Sequence, residues 1–162
     1  MTYAGPVLLT GDHVLEGFNC GKSALDEWLV RRALANQASG ATRTWVVAEE
    51  GSPEVVAYYA SSTASVLRAA APPRARRNQP EQIPAILLAR MAVDQRHKGK
   101  GLGAALLKYF MLKALEVAGS VGVRVLLIHA KDEEARTFYG HYGFVESPLD
   151  PFVMMMIVAD LT

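Results

Sequence analysis

A single cysteine, Cys20, leaves no pair for an internal disulfide, and no Cys/His cluster has the spacing of a zinc site, so neither a disulfide scaffold nor a metal centre is expected. Charge of one sign is lacking as well. The 17 Lys and Arg stand against 16 Asp and Glu, and a net charge of +1 gives no whole-molecule case for binding nucleic acid or anionic lipid. Any such case must be local. No apolar run approaches the ~20 residues of a membrane span, and Met1 to Thr10 has neither a basic start nor a long apolar stretch. The expectation is a soluble cytoplasmic protein in a reducing compartment, away from the membrane. Internal repeats are absent, and the one biased tract is an Ala/Pro/Arg segment near the middle.

What is present is ordinary globular composition, 51% apolar and 20% charged over 162 residues, enough for one core and one domain across residues 1–162. From Ser23 to about Gln37, Leu25, Trp28, Leu29 and Ala33 recur at helical spacing, with Ser23 as N-cap and Gly40 as stop. Thr44–Glu49 and Val55–Val66 read as a β-hairpin around Gly51, Ser52 and Pro53. Arg68 to Pro84, with four prolines, reads as a loop. Beyond it come a buried strand (Ala85–Val93), a helix (Leu102–Ala118), a second buried strand (Val123–His129), a helix from Glu133 to His141 capped by Asp132, and a last strand (Phe152–Val158). Strands flanking the Leu102–Ala118 helix should be parallel neighbours, giving an α/β fold with a mixed sheet and helices on its faces.

The most informative segment is Gly99-Lys100-Gly101-Leu102-Gly103, between a strand and a helix. Glycines there let the backbone approach a ligand, and the helix start points free N–H groups forward, which suits phosphate. Arg96, His97, Lys98 and Lys100 crowd the same turn and suit a pyrophosphate with its neighbours. Two imitations are discounted. Gly99, Gly101 and Ala104 spell a dinucleotide pattern, but the next strand ends at His129 where that pattern wants an acid; Gly21-Lys22-Ser23 resembles the end of a P-loop, but its first glycine is replaced by Glu16.

Arg96-x-x-Gly99-x-Gly101 after a strand, followed by Ala135-x-x-Phe138-Tyr139-x-x-x-Gly143-Phe144, resembles the acetyl-CoA signature of the Gcn5-related N-acetyltransferases, the GNAT family. The resemblance covers about residues 85–145. Phe18-Asn19-Cys20-Gly21, Ser23-Ala24-Leu25-Asp26-x-Trp28-Leu29, Thr44-Trp45-Val46-Val47, Val56-Ala57-Tyr58-Tyr59 and Leu88-Ala89-Arg90-Met91-Ala92-Val93-Asp94 are similar to a narrower group, the acetyltransferase toxins of toxin–antitoxin pairs of TacT and AtaT type. That likeness implies a GNAT fold, acetyl-CoA as cosubstrate without a metal, and a homodimer that acetylates the free amino group of aminoacyl-tRNA, blocks translation and is neutralised by a ribbon-helix-helix antitoxin. It further implies that the backbone of Met91 and Val93 holds the pantetheine arm and that Arg96 to Gly103, including His97, Lys98, Gly99, Lys100 and Gly101, hold the pyrophosphate. Phe138 would line the cofactor and Tyr139 would stand by the sulfur. At residue 132 the family often has Asn where this chain has Asp132, which could touch the cofactor or cap the helix.

Acyl transfer from a thioester to an amine needs a neutral nucleophile, oxyanion stabilisation and a proton for the thiolate. Tyr139 is the candidate acid, with Tyr142 as competitor. No general base stands out, and an α-amine with a reference pKa of about 8 needs little help, whereas a lysine at about 10.4 needs more. Arg68, Arg74, Arg76 and Arg77 have no acid among them and form the local case for RNA; Lys22, Arg31, Arg32 and Arg43 could extend it. From charge alone a solvated loop is as good a reading, and the resemblance tips the balance to RNA. His13 and His141 read as surface or packing residues, Cys20 as a small buried side chain, and Met154, Met155 and Met156 as core. Two rivals stay open: a sibling enzyme acetylating a small amine or a protein N-terminus, and a non-catalytic module that binds CoA or tRNA.

Overall fold

The computed structural model describes residues 2–161. The chain runs β1 (Tyr3–Leu8), α1 (Ser23–Arg31), α2 (Ala33–Ser39), β2 (Arg43–Glu49), β3 (Val55–Leu67), α3 (Pro73–Arg76), β4 (Gln82–Val93), α4 (Leu102–Ala118), β5 (Val125–His129), α5 (Glu133–His141), β6 (Val145–Glu146) and β7 (Val153–Ile157). The seven strands form one mixed sheet in the order β1-β2-β3-β4-β5-β7-β6. β2 and β3 are antiparallel, from Arg43↔Ser61 to Ala48↔Val55, as the hairpin reading required. The expected parallel pair is β4 with β5, from Ala85↔Val125 to Leu88↔Ile128, and β4 runs on beyond this ladder to Val93.

Two compact units carry these elements. The first, residues 1–62 and 89–110, has a core of Leu9, Phe18, Leu29, Val46, Tyr58 and Ala92, with Leu25 and Trp28 packed against it. On its other face the start of α4 is fixed by aromatic rings, Tyr59 against Phe110 edge-to-face at 5.8 Å and Trp45 against Tyr109 at 5.3 Å. Gln37 ties the end of α2 to β2 and to the residue that follows β1, donating to Leu9 O (2.7 Å) and accepting from Thr44 N (2.9 Å). The second unit, residues 63–88 and 111–162, is built on Ile83, Ala85, Val125, Leu127, Met155 and Ile157.

Three expectations change. The helix from Ser23 to Gln37 is two helices, because the backbone leaves helical geometry at Arg32 (φ −123°, ψ −29°), and Lys22 rather than Ser23 sits at the cap position, with no side-chain capping bond. An unbroken apolar stripe conceals such a break. The segment 68–84 is not all loop: Pro73 opens the short α3, and the last strand residues before Ala85 already belong to β4. β1 and the two-residue β6 were not expected; β1 carries Gly5 and Pro6 and shows no alternation of buried and exposed residues.

Gly40 closes α2 with φ +84°, and a Cβ there would meet nothing within 4 Å, so its requirement is conformational rather than steric. Gly122 is equally open but lies outside the left-handed region. Gly40→Ala should therefore cost ~1–2 kcal/mol, whereas Gly122→Ala should be neutral or stabilise by ~0.4–1 kcal/mol. Urea unfolding of the two variants checks this, and equal effects would show that backbone conformation is not what selects Gly40.

Candidate active site

The glycine turn between β4 and α4 begins at Asp94, whose side chain is only 1% exposed. Its carboxylate accepts from the backbone N–H of Asn19 (3.0 Å) and of Arg96 (2.9 Å), and from Arg96 Nε (3.0 Å) and Nη2 (3.1 Å). Burial pushes the Asp94 carboxyl up, but the hydrogen bonds from Arg96 and Asn19 outweigh it and hold the group below the usual carboxylate range. The same contact draws the 17–22 segment onto the turn: Gln95 N donates to Asn19 O at 2.8 Å and Lys98 Nζ to Cys20 O at 3.1 Å. Asp94 and Asn19 as fasteners escaped the sequence reading. The available signal was an Asp two residues before an Arg at a strand end, a capping arrangement for the short turn Gln95–His97.

This packing redistributes the cations expected to face a pyrophosphate. Arg96 is ion-paired with Asp94, and Lys98 is engaged with Cys20. His97 is buried: its Nδ1 shares a 2.8 Å hydrogen bond with the Tyr3 hydroxyl, and its Nε2 lies 3.4 Å from Glu49. The His97 side chain therefore joins β1 and β2 beneath the turn. Lys100 is exposed and makes no hydrogen bond or ion pair with any described residue. Gly99 and Gly101 have φ of +79° and +80°, and Cβ atoms built there would meet no protein atom within 4 Å. Both conformations are ones L side chains avoid, and the space above them is open, as a cradle for a phosphate requires. α4 starts immediately after, with Gly101 O accepting from Ala105 N and Gly103 in the first turn. Met91 and Val93 are half-buried on the part of β4 beyond its ladder with β5.

In the second unit, Asp132 caps α5 as expected, its Oδ1 accepting from Ala135 N at 2.8 Å. That bond gives Asp132 a structural task whatever else it touches. Tyr139 is 7% exposed, set edge-to-face against Phe138 (5.3 Å) and Phe144 (6.1 Å). Burial, and then the Asp132 carboxylate, raise its phenol well above the ordinary tyrosine value, so it stays protonated at cellular pH. Its hydroxyl makes no hydrogen bond with any described residue. Tyr142, the competitor, is 39% exposed and lies against Phe138 and His141.

The basic segment is less free than its composition suggests. Arg74 makes a two-pronged ion pair with Asp160 (2.7 and 2.6 Å), an acid 86 residues away in sequence. Arg76 Nη1 reaches Ala71 O at 3.4 Å, and Arg124 donates to the carbonyls of Ala75 and Arg74 at the end of α3. Arg77 and Arg68 are exposed and unpaired among the described residues. Arg43 is drawn onto Gln37 O at 3.0 Å. No group of three or more His, Cys, Asp and Glu among the described residues could hold a metal ion, and none of their helices is long and apolar enough to cross a membrane.

The sequence profile of the acetyltransferase (GNAT) domain matches residues 40–146. The chain belongs to the GNAT acetyltransferase family. It is an N-acetyltransferase by that membership, and its mixed seven-stranded sheet is the GNAT fold. It is 40% identical over 158 residues to a tRNA-acetylating toxin of Mycobacterium tuberculosis (strain ATCC 25618 / H37Rv), covering 98% of this chain and 94% of the relative. Among solved structures it resembles AtaT complexed with acetyl-methionyl-tRNAfMet, with a TM-score of 0.89, 25% identity, and 99% and 96% of the two chains covered. It also resembles a tyrosine-to-phenylalanine mutant of AtaT bound to the C-terminus of the antitoxin AtaR and acetyl-CoA, with a TM-score of 0.82, 25% identity, and 99% and 94% covered.

Because the Asp94 carboxyl is held low by folding, its contribution to stability is complete above the unfolded value of about 3.9 and disappears as pH falls through the lower folded value. Asp94→Asn should destabilise the GNAT domain at pH 7 by ~1–3 kcal/mol, since the charge is lost and one of the two accepting oxygens becomes an NH2 that faces N–H donors. The gap to wild type should narrow below about pH 4. Chemical denaturation at pH 7 and pH 3.5 measures this; a gap that does not change between them would show that the carboxylate charge is not what holds the turn.

Proposed function

We propose that this chain, acting as a single catalytic domain over residues 1–162, transfers the acetyl group of acetyl-CoA to the free α-amino group of aminoacyl-tRNA, and that this acetylation blocks translation. The observation that carries the reading is the 40% identity to a tRNA-acetylating toxin over 98% of the chain. That likeness reaches well beyond residues 40–146 of the matched acetyltransferase profile. By the same reading the enzyme is a cytoplasmic homodimer neutralised by a ribbon-helix-helix antitoxin.

The open space over Gly99 and Gly101 and the first turn of α4 fit the pyrophosphate of acetyl-CoA. Lys100 would supply the mobile charge, Arg96 and Lys98 would stiffen the turn, and the backbone of Met91 and Val93 would hold the pantetheine arm. The acceptor nitrogen attacks the thioester carbonyl, the carbon–sulfur bond breaks, and the thiolate takes its proton from the Tyr139 hydroxyl. A protonated phenol whose hydroxyl no described residue uses supports that role. A phenol raised in this way does not also serve as base, in agreement with an acceptor whose α-amine is already partly neutral.

Labelled acetyl-CoA mixed with a pool of charged tRNAs should yield label on the aminoacyl end, released by RNase and by ester hydrolysis. Label on peptide N-termini or small amines in place of tRNA would overturn the acceptor assignment. Tyr139→Phe keeps the ring contacts with Phe138 and Phe144 and deletes only the hydroxyl. Its kcat should fall ~10²–10⁴-fold with acetyl-CoA affinity and melting temperature nearly constant. Tyr142→Phe should be mild. Full turnover by Tyr139→Phe where chemistry limits the rate would assign the proton to another donor.

Of the arginines expected to meet tRNA, Arg68 and Arg77 are unpaired among the described residues, whereas Arg74 is already paired with Asp160 and Arg76 reaches the Ala71 carbonyl. Arg77→Ala should lower the salt slope of tRNA binding by ~1. Arg74→Ala should change that slope less than Arg77→Ala. Filter binding between low and moderate salt decides, and an unchanged slope for Arg77→Ala would return the segment to a solvated surface.

A further inference from the structure

Arg90, near the end of β4, carries a charge that no carboxylate of the described residues pairs. Its guanidinium carbon lies over the Trp28 ring, 4.7 Å from the centroid, and Trp28 in turn stacks on Tyr58 at 6.1 Å with an interplanar angle of 12°. Tyr58 is wholly buried, its hydroxyl donates to Leu25 O at 2.8 Å, and Phe18 meets its ring edge-to-face at 5.6 Å. The lowest tiers of this stack are thus fixed by the core, and the guanidinium plane is fixed by the stack. Its edge is not satisfied. Arg90 Nε is buried without a hydrogen-bond partner, and Arg90 makes no hydrogen bond or ion pair with any described residue. Asp26, the acid on α1 whose charge also reaches Tyr58, instead accepts from Cys20 N at 2.9 Å.

Arg90 is half-buried, Nε is enclosed, and the donors left open to a ligand are the two terminal nitrogens, which no described residue engages. A planar guanidinium held by its face presents parallel donors along its edge, the geometry that suits a bidentate oxyanion such as a phosphodiester. Side chains alternate along a strand, so Arg90 lies on the face of Ala92, which packs with Leu29 and Tyr58 against α1, and opposite Met91. The unsatisfied edge therefore belongs to the α1 face of the strand whose backbone is assigned to the pantetheine arm.

We propose that Arg90, stacked on Trp28, receives the 3′-terminal phosphodiester of the aminoacyl-tRNA acceptor and so positions the α-amine for attack. This rests on the acceptor assignment above. Arg90 is an acceptor-binding residue and takes no part in proton transfer.

The experiment compares two acceptors, charged tRNA and a phosphate-free aminoacyl-adenosine amide, with wild type, Arg90→Lys and Arg90→Met. Arg90→Met keeps an apolar stem on Trp28 and removes every N–H; Arg90→Lys keeps the charge and removes the fork. For Arg90→Met the KM for charged tRNA should rise roughly 10- to 100-fold, as loss of a charge-assisted pair predicts, with kcat within a few-fold of wild type. Arg90→Lys should fall between. The KM for the phosphate-free acceptor, and acetyl-CoA affinity by calorimetry, should not move. An equal rise in KM for both acceptors would make Arg90 a support for Trp28 rather than a phosphate ligand, and wild-type KM values in both variants would likewise overturn the inference. If Arg90→Met does not fold, Arg90→Lys decides on the same comparison. Wild-type protein that fails to acetylate charged tRNA overturns the acceptor assignment itself and the inference with it, which separates that failure from a silent Arg90.

Discussion

The Asp94 carboxylate, buried with four N–H donors converging on it, is the contact on which the first unit's site depends. An anion taken out of water costs several kcal/mol of desolvation, so it persists only where every lone pair is engaged. Arg96 and Asn19 engage them, and each belongs to a segment that would otherwise be mobile. One bond fixes the turn entering α4, and another fixes the 17–22 segment, where Gly21 (φ +93°) passes so close to Gln95 that a Cβ would come within 2.4 Å of its side-chain nitrogen. The glycine turn and the entry to α1 are thereby one packed piece.

That coupling changes how the cationic character of the turn should be understood. Four basic-type residues in five positions suggest a cluster reaching for phosphate. Three of them instead hold the turn in shape, Arg96 through Asp94, His97 through Tyr3 and Glu49, and Lys98 through the Cys20 carbonyl. What the turn leaves uncommitted among the described residues is the backbone around the left-handed Gly99 and Gly101 and the side chain of Lys100. Backbone donors are already oriented and give up no side-chain freedom on binding, whereas a bundle of long flexible cations would give up a great deal.

Local signals were readable and distant ones were not. The limits of α4 and α5 and the Asp132 cap follow from a glycine stop, an acid at the cap position and helical spacing, all within one or two turns of chain. The β2–β3 hairpin and the parallel β4–β5 pair follow equally from alternation and the crossover rule. Arg74 looked free because its partner, Asp160, stands 86 residues on, and His97 looked like a phosphate ligand because Tyr3 stands 94 residues back. Tyr139 was legible by its place in a motif, whereas its chemical state was not, since its raised phenol is set by packing among Phe138 and Phe144 and by the Asp132 charge.

The unequal state of the aromatic hydroxyls in this protein bears on which of them can work. Tyr58 and Tyr59 are also buried and also raised, yet Tyr58 spends its hydroxyl on Leu25 O, and the Tyr59 hydroxyl is fully enclosed without a partner. Tyr139 combines a protonated phenol with a hydroxyl that no described residue uses and that is not fully enclosed. Burial of the ring and availability of the oxygen are opposing demands, met by enclosing the ring from its flanks with Phe138 and Phe144 while leaving its tip uncommitted. A hydroxyl so arranged keeps its proton at neutral pH and remains free of the described residues.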